Sequence, residues 1–102
     1  MSTSAKKDLE LTNLVILSGR IINKPKWGYS SNKKLYIQFV IECPKWNGKN
    51  LIPCMAWGDS AKNMLEFQED DWIKLSGKIN TFVSDSQSKF QVLIDDAAII
   101  DV

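Results

Sequence analysis

The stretch Leu35–Trp57, LYIQFVIECPKWNGKNLIPCMAW, restricts the fold of this chain more than any other part of it. Two runs of alternating side chains flank Asn47-Gly48. Asn-Gly between such runs is a strong hairpin signal, because a two-residue type I′ turn needs positive φ at both central positions. With the turn at Asn47-Gly48, Trp46 faces Lys49 and Ile41 faces Cys54. Side chains alternate along a strand, so the hairpin sorts into two faces. One carries Leu35, Ile37, Phe39, Ile41, Cys43, Ile52, Cys54 and Ala56, and reads as core. The other carries Tyr36, Gln38, Val40, Glu42, Trp46, Lys49, Leu51, Met55 and Trp57. That second face is too aromatic for an ordinary solvated surface and too polar for a core.

The flanking chain supplies the rest of a small barrel. Met1–Thr12 reads as a flexible arm, and residues 13–102 as one domain. Leu14–Ile22 is a β-branched first strand in which Gly19 predicts a bulge or bend. Lys24–Lys34 is a loop rich in turn residues. After the hairpin, Gly58-Asp59-Ser60 offers helix-start chemistry. A short helix over Ser60–Phe67 follows, with Ala61, Met64, Leu65 and Gln68 along one side. Glu69-Asp70-Asp71 opposes the macrodipole and ends it. Trp72–Phe82 alternates again, Val83–Lys89 reads as a hairpin loop, and Phe90–Ile94 with Ala97–Ile100 forms a last strand interrupted at Asp95-Asp96. An all-β chain of five strands with a short helix between strands 3 and 4 matches the OB-fold, a Greek-key barrel. Ligands of that fold lie on strands 2 and 3, flanked by the strand 1–2 and strand 4–5 loops. Those are Leu35–Trp57, Lys24–Lys34 and Val83–Lys89, so the aromatic-polar face falls where a ligand belongs. A barrel of the same shape with no ligand is the alternative.

Net charge is only +1 over 102 residues, but the halves differ. Residues 1–51 hold nine Lys/Arg and three Asp/Glu, while residues 52–102 hold four and nine. A basic N-terminal half implies an anionic partner or, more blandly, a solvated surface. Histidine is absent, which removes the commonest general base and metal ligand. Glu69, Asp70 and Asp71 are adjacent and diverge, and Ser18, Ser60 and Ser76 have no partner base, so no enzyme is expected. Cys43 and Cys54 read as small buried hydrophobes, and neither a metal nor another cofactor is implied. No apolar run approaches the roughly 18 residues of a membrane span, and no signal peptide is visible. A cytoplasmic, nucleoid-associated protein is expected.

Residues Asn13 to about Ile100 resemble the bacterial single-stranded DNA-binding proteins. The similarity runs through LVILSGRI, LIPCMAWGDSAKNMLEF, IKLSGKINT and the closing strand. It implies that Trp46 and Trp57 stand at or near aromatic positions that stack on bases. Leu51 occupies a position often aromatic in the family. A further stacking Trp in the strand 4–5 region has no counterpart, and Phe82 lies two residues away. Family members usually continue into a linker and an acidic tip that recruits other proteins, whereas this sequence stops at Val102 without one. It is thus read as a tailless phage, plasmid or organellar-type member or as a fragment. QFVIEC and the ending IID are also similar to primosomal replication protein B, a tailless relative that acts in replication restart.

The resulting expectation is binding of single-stranded DNA, or RNA, with little sequence preference, in replication, recombination and repair. Trp46 and Trp57 would stack on bases, with Tyr36, Phe82, Trp27 and Tyr29 extending the platform. Trp27 reads equally well as a cap on the barrel end. Lys24, Lys26, Lys33, Lys34, Lys45, Lys49 and Lys78 would neutralise phosphates. Association through the first strand into a homodimer or homotetramer is implied by the resemblance. A protein-interaction module is the competing class, disfavoured by the lysine content of the face.

Overall fold

In the computed structural model, which describes residues 11–101, alternating apolar side chains turn one continuous sheet in on itself. The strands are β1 (Val15–Ile21), β2 (Lys26–Tyr29), β3 (Leu35–Lys45), β4 (Gly48–Trp57), β5 (Trp72–Ser84) and β6 (Gln87–Ile99). A short helix, α1 (Gly58–Lys62), lies between β4 and β5. Sheet order is β1-β5-β6-β4-β3-β2, and a further β1–β3 pairing at Arg20↔Glu42 and Ile21↔Ile41 closes five of the strands into a barrel. Pairing is antiparallel except between β4 and β6. With the helix between the third and fourth barrel strands, this is the expected OB-fold. Of the arm expected over Met1–Thr12, residues 1–10 lie outside the described residues, as does Val102; Leu11 and Thr12 are exposed.

The barrel interior takes the predicted face of the central hairpin. Ile37, Phe39, Ile41, Cys43, Cys54 and Ala56 are buried, joined by Ile21, Ile73, Leu75, Val92 and Ile94 from the other strands. Ala61, Met64 and Phe67 plug one end, and Phe67 meets Phe39 edge-on at 6.3 Å between ring centroids. Burying this many large apolar side chains, at about 1.5–3 kcal/mol each, is the main force closing the sheet.

Several local expectations are corrected. The hairpin turns at Trp46-Asn47 rather than Asn47-Gly48: Lys45 faces Gly48, Ile41 faces Ile52, and Gly48 takes a φ of 134°. The slip is two residues, so every side chain keeps its face. The loop expected over Lys24–Lys34 contains β2, which extends β3 outward as a hairpin closed by Lys33 N–H donating to the Ser30 carbonyl at 2.8 Å. The helix begins at Gly58 and is only five residues long, without a side-chain cap. Ser60 Oγ instead donates to the Asp95 carbonyl at 3.0 Å, and Phe67 is buried where Leu65 and Gln68 are exposed. Val83–Lys89 is not an open loop, since β5 and β6 run into a tight turn at Asp85-Ser86, both with positive φ. Gly19 marks no register shift; a Cβ there would stand 2.6 Å from the Glu42 carbonyl oxygen, so it permits the close approach of β3 where the barrel shuts. The interruption at Asp95-Asp96 is a β-bulge, with Ser76 facing Asp96 and Gly77 facing Ile94.

Candidate nucleic-acid interface

The outward face of β3 and β4 carries an aromatic pair at the end nearest α1. Tyr36 and Trp57 are direct cross-strand partners, both half-buried, with ring centroids 5.6 Å apart and planes inclined at 55°. Facing residues of an antiparallel pair share one side of the sheet, which brings the rings together. Gly28 of β2 pairs with Tyr36 on that side, and a Cβ on it would meet the phenol oxygen at 3.1 Å. The glycine therefore makes room for the Tyr36 ring to lie across β2. The β2–β3 turn holds Lys34 so that its Nζ stands 5.8 Å from the Trp57 ring centroid. Lys34 N–H also lies 3.2 Å from Ser30 Oγ, which accepts from it. A cation beside a partly exposed pair of aromatic rings is an arrangement that can take a base and its phosphate.

From this pair the same face continues over a shallow groove lined by Lys26, Gln38, Val40, Pro53 and Gln91. Asn23 Oδ1 accepts from the Val40 N–H at 2.8 Å and anchors its edge. Beyond it, Lys78 faces Leu93 and Phe82 faces Lys89 on the outward side of the β5–β6 hairpin; Phe82 is 39% exposed. Trp46 stands at the tip of the β3–β4 hairpin, 98% exposed, flanked by Lys45.

The remaining expected residues are distributed differently. Trp27 faces Ile37 and Tyr29 faces Leu35, which puts both on the opposite side of β2–β3 from Tyr36. Trp27 borders a groove with Ile37, Leu65 and Phe67 and covers the barrel end, while Tyr29 meets it edge-on at 6.3 Å. Lys24 borders that same end groove, and Lys33 is exposed in the β2–β3 turn with a φ of 62°. Lys49 shares the outward face, but its Nζ is 2.6 Å from Glu42 Oε1. Lys89, on the outward face opposite Phe82, was missed because it closed a stretch read as loop. The β5–β6 pairing, once its turn is placed at Asp85-Ser86, is the signal that finds it.

The hydrogen bond from Lys49, with Arg20 also nearby, holds the Glu42 carboxyl below its ordinary value of 4.5. Burial, with the Cys43 thiol adding to it, pushes Cys54 up to about 12, and burial raises Cys43 as well. Both cysteines are free and protonated, hence unreactive. Among the described residues no cluster of His, Cys, Asp and Glu could hold a metal ion, and no helix is long and apolar enough to cross a membrane.

No protein-family model and no curated protein sequence matches this chain. Solved structures do. The single-stranded DNA-binding protein from Thermus aquaticus superposes with a TM-score of 0.78 at 15% identity, over 89% of this chain and 41% of its own. This chain therefore spans about two-fifths of that protein's length. The N-terminal domain of PriB protein from Thermoanaerobacter tencongensis, a dimeric structure, gives 0.73 at 14% identity, over 88% of this chain and 98% of that one. An SSB domain from Synechococcus sp. gives 0.74 at 15%, over 87% and 97%. At such identities the likeness establishes the OB-fold.

Proposed function

We propose that this chain binds single-stranded DNA with little sequence preference, in replication, recombination or repair, and catalyses no reaction. The observation that carries the reading is the Tyr36–Trp57 pair on the outward face of β3–β4, with Lys34 over the indole. A base stacked there is worth about 1–3 kcal/mol whatever its identity, because every base has a π-face. The strand would run from this pair over the Lys26 groove toward Phe82, Lys89 and Trp46, with Lys33, Lys34, Lys26 and Lys78 at its phosphates. Duplex DNA keeps its bases stacked and offers the rings nothing. The three structural neighbours, two described as single-stranded DNA-binding and one as PriB, support the reading. A replication-restart accessory of the primosomal protein B kind is a second reading, since the PriB domain is matched over 98% of its length, as fully as the SSB domain at 97%. It would use the same face, within the nucleoid of the cytoplasm.

Assembly into a homodimer or homotetramer belongs to this proposal. β1 pairs with β5 along Val15–Arg20 but with β3 only at Arg20 and Ile21, which leaves the other edge of Val15–Gly19 unpaired among the described residues. Leu14 and Ile16 beside that edge are 62% and 61% exposed. Such an edge is normally covered. Light scattering at tens of micromolar is expected to show a dimer or larger; a monomer overturns the assembly and leaves the interface standing. For binding itself, oligo-dT is expected to quench Trp fluorescence, with affinity falling as salt rises through counterion release. Equal affinity for duplex and single strand would refute a stacking interface.

A further inference from the structure

A second concentration of aromatic and cationic groups lies where β1 meets β3 and β5. Trp72 faces Arg20, Arg20 faces Glu42, and Glu42 faces Leu51, forming one outward row across β5, β1, β3 and β4. At sheet spacing the row is about 14 Å long. It starts on the same face as Tyr36 and Trp57 and leads around the barrel to an indole that is 38% exposed. Arg20, Glu42, Pro44, Gly48, Lys49 and Trp72 border one groove of about 360 Å³ there.

The charges in this groove satisfy one another. Glu42 Oε2 accepts from Arg20 Nη2 at 3.1 Å and Glu42 Oε1 from Lys49 Nζ at 2.6 Å. Arg20 Nη1 also donates to Asp70 Oδ1. Two cations and two carboxylates sum to zero, so the groove presents no net charge to a phosphate while Glu42 is in place. Its side chain is only 16% exposed, whereas that of Lys49 is 64% exposed. A carboxylate bridging an arginine and a lysine occupies the position a phosphate would take, since both are oxyanions recognised by the same donors.

We propose that the single-strand path continues along the row Leu51–Glu42–Arg20–Trp72, with Trp72 as a further stacking platform and Arg20 and Lys49 as phosphate ligands that Glu42 occupies until the strand displaces it. The proposal rests on the binding function argued above and adds a second subsite, reached only by strands long enough to pass the β3–β4 face. Glu42 thereby sets how much a longer strand gains and makes occupation of the groove dependent on length.

The test compares labelled oligo-dT of about 8 and about 20 nucleotides, the first within and the second beyond the roughly 4–16 nucleotides one OB barrel covers. Anisotropy is read over a salt series for the wild type, Glu42→Gln and Trp72→Leu. Glu42→Gln is expected to steepen the salt slope for the longer oligomer by about 0.7 per phosphate newly held, about a fivefold gain between 1 M and 0.1 M salt. The shorter oligomer is expected to be unaffected. Trp72→Leu is expected to weaken the longer oligomer about fivefold or more and the shorter one not at all. Should Glu42→Gln fail to fold, Lys49→Gln is expected to flatten the slope for the longer oligomer alone. An unchanged slope in folded Glu42→Gln, or equal weakening at both lengths in Trp72→Leu, overturns the second subsite. Failure of the wild type to bind either oligomer overturns the binding function with it.

Discussion

Trp46→Ala separates binding from folding more cleanly than any other substitution in this chain. The side chain is 98% exposed at a turn, so it contributes almost no buried area to the fold. Removing it is expected to move the melting temperature by less than about 2 °C, given that 1 kcal/mol shifts a domain of this size by about 4 °C. Binding is different. A base laid on one indole face covers roughly 100 Å², or about 2.5 kcal/mol at 25 cal/mol per Å², inside the range of about 1–3 kcal/mol for one stacked base. Affinity for oligo-dT is therefore expected to fall about 5- to 150-fold. No charge is lost, so the slope of log affinity against log salt is expected to stay constant. Anisotropy of a labelled oligonucleotide is the suitable readout, because the substitution also removes one of the four tryptophans that intrinsic fluorescence would report. Trp57 provides the contrast: half-buried against Tyr36, its replacement by Ala is expected to cost both affinity and stability. Undiminished binding by well-folded Trp46→Ala would remove the hairpin tip from the interface, and a large loss of stability would mean that the tip packs against something.

Replacing Lys33 and Lys34 together by Ala is expected to flatten the salt slope by up to about 0.7 per lost phosphate contact, measured by the same titration. Ser86→Gly is expected to stabilise the β5–β6 turn by about 1 kcal/mol in chemical denaturation, because Ser86 holds a φ of 63° that costs an L-residue about 1–2 kcal/mol and glycine little. Lys49 and Arg20 depress the Glu42 carboxyl, so its stabilising contribution is full above pH 4.5 and is lost as pH falls through the lowered folded value. The melting-temperature difference between the wild type and Glu42→Gln is expected to narrow over that acid range; a difference independent of pH would remove the ion pairs from the stability of the barrel.

Alternation along Leu35–Trp57 was enough, by itself, to separate the core residues Ile37, Phe39, Ile41, Cys54 and Ala56 from the outward Tyr36, Gln38 and Trp57. That separation depends only on parity, so it survived a turn displaced from Asn47-Gly48 to Trp46-Asn47. The acidic pair Asp95-Asp96 likewise announced a broken ladder, where the register shifts between Ser76 and Gly77. What local pattern does not contain is which strand approaches which. Closure at Arg20–Glu42, the pairing of Lys26–Tyr29 with β3, and the side of the sheet taken by Trp27 and Tyr29 all depend on partners distant in sequence. Fewer turns of helix formed than the Ser60–Phe67 pattern suggested, because burial of Met64 and Phe67 at the barrel end decided the backbone there. Lys49 illustrates the same division: its position on the outward face was legible, but its engagement by Glu42, and Glu42 by Arg20, exists only once β1 has been brought to β3.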